Sequence, residues 1–335
     1  MTGRDRVVAT LEKKPRDHLA CMPITMMFAA DCLGVKYQQY ARDYCTLVES
    51  QLRTVEQFDF DHVSAISDPA REASDCGAKV QWYEDQPPAI IEEQALLADK
   101  SALVHLHAPN AWEGARMRDR LRAIEHLRQG VGSDKLVEGW VEGPCAEAAD
   151  LRGISRLMID FTDDPVFVTD LFEFVVSMAI QFARAQIAAG ADIIGVGDAA
   201  ASLVGPRIYK EFVFPYQKKL AQAIHAAGGR VRLHICGNTR RILTFVAELG
   251  CEMVDLDYPV PMEEARSLLG PDQVVAGNLN PVKELRGGTP GSISDRLARC
   301  RQEAGTNYIV AAGCEIVRGT SPANVHALVE FARSA

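Results

Sequence analysis

The sequence predicts an α/β fold, a single (β/α)8 TIM barrel spanning residues 1–335, and three observations carry that expectation. Short apolar, β-branched runs alternate with helical patterns along most of the chain. Eight such runs can be counted, and chemically active residues gather at their C-terminal ends. Strands that alternate with helices pair in parallel through right-handed crossovers, and eight such units close a barrel whose C-terminal face is the reactive one.

In chain order the predicted strands are Met22–Phe28, His62–Ser67, Leu136–Val141, Asp192–Val196, Arg230–Ile235, Glu252–Leu256, Gln273–Ala276 and Asn307–Ala311. Helical periodicity fills Pro165–Ala189, Pro206–Ala227, Thr239–Leu249, Met262–Leu269 and Ile293–Ala304 between them. The connection from Asp68 to Asp134, between the second and third strands, is too long for one crossover. Its strand-like pieces Lys79–Tyr83 and Ala102–His107 and its charged segment Gly114–Gln129 predict an elaboration over the barrel mouth, with a small hairpin and a helix. No linker, internal repeat or low-complexity tract divides the chain.

Composition excludes several classes. The net charge of -9 and the lack of any Lys/Arg-rich run oppose nucleic-acid binding. No apolar run in the sequence reads as a membrane span, so no membrane partner is expected. Nine scattered cysteines, an odd number without framework spacing or an export signal, read as reduced thiols of a cytoplasmic protein. Dinucleotide, Walker A and nucleophile-elbow motifs are absent.

The pattern His234-Ile-Cys236 places an imidazole and a thiol on one side of a strand end, because residues i and i+2 share a face. Cys314 follows in Ala-Ala-Gly-Cys-Glu-Ile and can join them only through the fold. One nitrogen and two sulfurs suit Zn2+ with an open coordination position. A core histidine with two buried free cysteines is the bland alternative. For a fourth ligand, Asp257 and Asp255 share one face of the sixth strand and Asp198 ends the fourth. A barrel-mouth hydrogen-bonding role serves Asp257 equally well.

Taken as a set, these motifs resemble the uroporphyrinogen decarboxylase superfamily over nearly the whole chain. The segments concerned are Gly190–Asp198, Gly205-Pro206, Tyr209–Pro215, Val231–Gly237, Ala276–Pro281 and the early Ser67-Asp68. Decarboxylation of a carboxylate-rich tetrapyrrole implies arginines after the first strand, yet no arginine stands between Cys21 and Arg42. His234, Cys236 and Cys314 are instead similar to the zinc pattern of the methylcorrinoid-dependent methyltransferase branch, which includes methylcobamide:coenzyme M methyltransferases. Cobalamin-independent methionine synthase shows a more distant likeness.

That resemblance implies a zinc-dependent transfer of a methyl group between a corrinoid (methylcobamide) and a small-molecule donor or acceptor, most simply a thiol. Asp198 and Asp68 are the candidate catalytic residues, Asp198 orienting a ligand or substrate. Asp68 either faces the corrinoid or acceptor or caps the segment beginning at Pro69. Met27 and Asn278 are candidate cofactor contacts, Met27 within an adaptable apolar group that also fits a packed strand. An Asp-x-His-x-x-Gly corrinoid signature is absent, so the cobamide is expected free or on a separate corrinoid protein. A tetrapyrrole lyase and a non-catalytic corrinoid-binding protein are the competing readings.

Overall fold

The computed structural model describes all 335 residues. Its strands are β1 (His62–Ser64), β2 (Val80–Gln81), β3 (Ala89–Ile90), β4 (Leu136–Glu142), β5 (Ile193–Gly197), β6 (Arg230–His234), β7 (Met253–Leu256), β8 (Val274–Gly277) and β9 (Tyr308–Ile309). β2 and β3 form a small antiparallel hairpin. The other seven form one curled parallel sheet in the order β1-β4-β5-β6-β7-β8-β9, an architecture of TIM-barrel type.

The predicted first strand is corrected. Cys21 makes only an isolated bridge to Val310, and Met27 and Phe28 open a helix, Met27–Leu33. Pro23 has no N–H to give a ladder, and the alanines after Phe28 favour a helix. Even so, this segment spans both edges of the sheet. Met22 N–H donates to the Val310 carbonyl at 3.0 Å, and Asp61 N–H donates to the Cys21 carbonyl at 3.1 Å.

Other boundaries shift as well. In the connection after β1, Lys100–His105 is a 3-10 turn rather than a strand, whereas Ala115–Val131 is the helix that the charged segment suggested. Of Thr239–Leu249 only Leu243–Val246 is α-helical. There the Asn238 side chain accepts the Arg240 N–H at 3.2 Å and holds a turn instead.

Helix Pro165–Ala188 meets the length and hydropathy of a membrane span, which the sequence reading had not registered. Over half of its apolar window is buried in the protein, with Phe172 and Phe182 fully enclosed. Asp164 starts it by accepting the Phe167 N–H at 3.2 Å, with Pro165 in the first turn.

Period-2 alternation stacks the barrel interior in layers. Leu136, Ile193, Met253, Val274 and Ile309 form an apolar floor, covered by Val7 and Leu11 of the helix Gly3–Leu11. Above the floor lies a charged layer of Glu138, Arg232 and Asp255. Above that, Trp140 packs with Ile24 and Ile66. Trp140 needs the glycines of β5: a Cβ on Gly195 would fall 2.1 Å from its ring, and one on Gly197 would fall 2.8 Å away.

Candidate metal centre and active-site cavity

The last inward position of β6 carries His234, and the turn beyond it carries Cys236. Cys314 arrives from the segment after β9. Their donor atoms lie together: His234 Nε2 is 3.0 Å from Cys236 Sγ and 3.7 Å from Cys314 Sγ, and the two sulfurs are 3.7 Å apart. A tetrahedral zinc with Zn–S of about 2.3 Å and Zn–N of about 2.0 Å spaces such atoms roughly 3.5–3.8 Å apart. Two of the three edges already match, and the third needs less than about an ångström of opening. The donor set and its geometry fit zinc.

The ring of His234 is fixed from behind. Its Nδ1 lies 3.0 Å from Asp255 Oδ2, and the strand register places His234 directly opposite Asp255. Asp255 in turn accepts from Arg232 Nε at 2.9 Å, and Arg232 Nη1 donates to Glu138 at 3.1 Å. An Nδ1–H given to a carboxylate leaves Nε2 with its lone pair toward the sulfurs, the arrangement of metal-bound histidines. The Cys314 thiol is held well below its ordinary range, chiefly by the hydrogen bond from Cys236 and then by His234. Cys236 is pushed up by that same bond and by burial. Burial opposes a charged His234 ring, but Cys236 and Asp255 outweigh it and raise its pKa.

The trio opens on a cavity of about 160 Å³ at the C-terminal ends of the strands. Ile24, Met26, Ile66 and Trp140 supply its apolar wall, and Asp68, Arg71, Glu142 and Asp198 its charged wall. Asp198 is fully buried; its carboxylate accepts from Ala146 N–H at 2.8 Å and from Gln217 Nε2 at 2.7 Å. Burial nonetheless pushes it up to about 6. Asp68 accepts from Arg116 Nη2 at 2.6 Å through one oxygen, and the other has no partner. It does not cap the following helix, whose N-cap is Ala70; instead its carbonyl takes a hydrogen bond from Arg71 Nη1 at 2.5 Å.

The remaining predicted residues stand apart. Asp257 accepts the N–H groups of Gly237 at 2.6 Å and Tyr258 at 2.7 Å, bracing the turn that carries Cys236 without joining the donor trio. Asn278 is fully buried, donates to the Val260 carbonyl at 2.6 Å, and does not reach the cavity wall. Met27 does not line the cavity, and its N–H donates to Glu315 at 3.4 Å. Arg71, Trp140, Glu142 and the role of Asp255 were missed. The alternation 138/140/142 along β4 was the available signal for Trp140 and Glu142. Nothing in the sequence pointed to Arg71.

One imidazole and two thiols gathered at the strand ends of a barrel form a donor set of the kind that can hold a metal on the catalytic face of an enzyme. Residues 2–335 match the family model "Uroporphyrinogen decarboxylase (URO-D)", and the chain belongs to that family. Relatives that align over nearly the whole chain are named as methyltransferases. A methylcobamide:CoM methyltransferase of Methanosarcina mazei is 28% identical over 341 residues, covering 99% of this chain and 98% of that one. Another from Methanosarcina barkeri is 25% identical over 343 residues, covering 98% and 96%. A uroporphyrinogen decarboxylase of Myxococcus xanthus is 31% identical, but over only 62% of this chain and 61% of its own.

Among solved structures, a methyltransferase from Methanosarcina mazei superposes with a TM-score of 0.85 at 23% identity, covering 100% of this chain and 98% of that one. A B12-independent methionine synthase from Shewanella sp. W3-18-1 gives 0.57 at 13% identity, with 85% of each chain covered. Both share the fold.

Proposed function

We propose that this chain, working as one barrel domain, is a zinc-dependent methyltransferase moving a methyl group between a corrinoid and a thiol. The carrying observation is the convergence of His234 Nε2, Cys236 Sγ and Cys314 Sγ within 4.8 Å at the barrel mouth. The full-length methylcobamide:CoM methyltransferase relatives support the corrinoid and, since coenzyme M is a thiol, the thiol.

Zinc held by two thiolates and one imidazole supplies Lewis acidity with little residual charge, lowering the pKa of a bound thiol while keeping it nucleophilic. The residues themselves do the rest. Asp255 fixes the tautomer and direction of His234, and Asp257 holds the Cys236 turn. Trp140, Ile24 and Ile66 keep water from the reacting sulfur. Asp198, just past β5, is held by Ala146 of the helix after β4 and by Gln217 of the helix Phe214–Ala226, and Asp68 presents an oxygen to the substrate. The substrate thiolate takes the methyl carbon in line, and the carbon–cobalt electron pair stays with the corrinoid. The corrinoid arrives free or on a separate protein over the mouth. All nine cysteines are free, which suits a reducing, cytoplasmic setting.

The test is metal content by plasma emission together with transfer from methylcobalamin to a thiol. Wild type is expected to bind about one zinc per chain after reconstitution, and Cys236→Ala/Cys314→Ala almost none, with transfer lost in parallel. Zinc-free wild type after reconstitution, or full activity in the double variant, rules the proposal out.

A further inference from the structure

The cavity wall itself carries more acids than bases, although Arg116 Nη2 holds one oxygen of Asp68 from behind it at 2.6 Å. Three carboxyl groups line it, those of Asp68, Glu142 and Asp198, against one cation, Arg71. That cation is already committed: Arg71 is fully buried, with Nη2 3.3 Å from Glu142 and 3.4 Å from Glu72, and Nη1 on the Asp68 carbonyl. Only its Nε has no partner. Asp68 is 2% exposed, and its Oδ1 is likewise unpartnered. A buried carboxylate oxygen with no donor is costly and calls for a cation or an N–H.

Two further features act in the same direction. Trp140 forms the apolar side of the cavity, and an indole is the best of the aromatic surfaces for a cation. Two thiolates balance a zinc dication, so a third thiolate from the substrate leaves the centre with net negative charge. A sulfonate or carboxylate on that substrate would add to the surplus, whereas a protonated amine would offset it.

Building on the thiol methyl-transfer reading, we propose that the small substrate of this site carries a positive charge near its reacting sulfur. Asp68 and Glu142 read that charge, with Trp140 packed against it. The substrate class is a short aminothiol, or its S-methyl form, rather than an anionic thiol. The cavity, about 160 Å³, takes a molecule of that size or the reactive end of a longer one.

Three thiols of one shape and different charge test this: cysteamine, 2-mercaptoethanol and 2-mercaptoethanesulfonate. Binding of their S-methyl derivatives to the metal-free protein is measured by calorimetry, and methylation of the thiols by methylcobalamin with the zinc-loaded protein. The ammonium compound should bind about tenfold more tightly than the alcohol, and the sulfonate most weakly, with kcat/KM in the same order.

Glu142→Gln should remove most of that preference. Asp68→Asn should do the same; if the loss of its bond to Arg116 prevents folding, Glu142→Gln decides alone. Equal affinities, a sulfonate preference (which would assign recognition to Arg71 Nε) or no binding of any of the three overturns the inference. Cation-first binding with no thiol methylated leaves charge recognition standing and defeats the thiol-transfer reading.

Discussion

Two groups of buried charges lie within one barrel, and they are built on opposite plans. Beneath the metal centre, His234, Asp255, Arg232 and Glu138 form a chain in which each charge meets an opposite one at 2.9–3.1 Å. Beside the cavity, Glu72, Glu142, Glu147 and Asp150 crowd around Arg71, and both carboxylate oxygens of Glu147 have no partner. The first group holds a donor atom still. The second is left with a surplus that only a proton or an incoming cation can relieve. Buried charge thus serves positioning where it is paired and recognition or proton uptake where it is not.

Breaking the paired group should have the largest effect. Arg232→Met strands Glu138 and Asp255 as buried carboxylates and removes the hydrogen bond from Nη2 to the Met22 carbonyl at 3.1 Å, which pins the segment spanning the sheet edges. A loss of about 3–5 kcal/mol is expected in urea unfolding. A change within about 0.5 kcal/mol would show that the network does not hold the barrel.

A gentler change separates positioning from folding. Asp255→Asn keeps the shape and leaves Arg232 a neutral acceptor, but an amide no longer dictates that Nδ1 of His234 carries the proton. Zinc affinity, measured by competition with a chromophoric chelator, should fall about 10–100-fold. The thermal midpoint of the metal-free protein should move much less than in Arg232→Met. Unchanged affinity would mean that the two sulfurs alone orient the site.

How much of this was legible follows from where each residue's signal lies. β4, β5 and β6 were readable because they are buried, β-branched runs, and His234 with Cys236 because a two-residue period settles a shared face. The same period put Asp255 and Asp257 together but could not say which lies level with Nδ1; only the pairing of His234 with Asp255 across the sheet decides that. Met27 and Phe28 were misread as strand because apolarity alone does not separate a strand from a buried helix. Arg71 was hidden because its position depends on the path of a long connection, which leaves no periodic trace.

The unpaired group offers the smallest and sharpest test, through pH. Burial is the chief cause that raises Glu147 well above its usual value and pushes Asp150 up to about 8. Both therefore keep a proton in the folded state that the unfolded chain has released above roughly pH 4–4.5. Where the folded state binds more protons, stability falls as pH rises. Between pH 5 and 8 the wild-type thermal midpoint should decline on this account, and beyond that less steeply, because Asp150 has ionised while Glu147 still holds its proton. In Glu147→Gln the side chain no longer titrates, so the decline should be shallower, with a gain of a few degrees at pH 8 and little change at pH 5. Parallel midpoint curves for the two proteins would mean that Glu147 is ionised in the fold after all. The acid surplus would then be neutralised by a cation already at the site, and the contrast between the two groups would disappear.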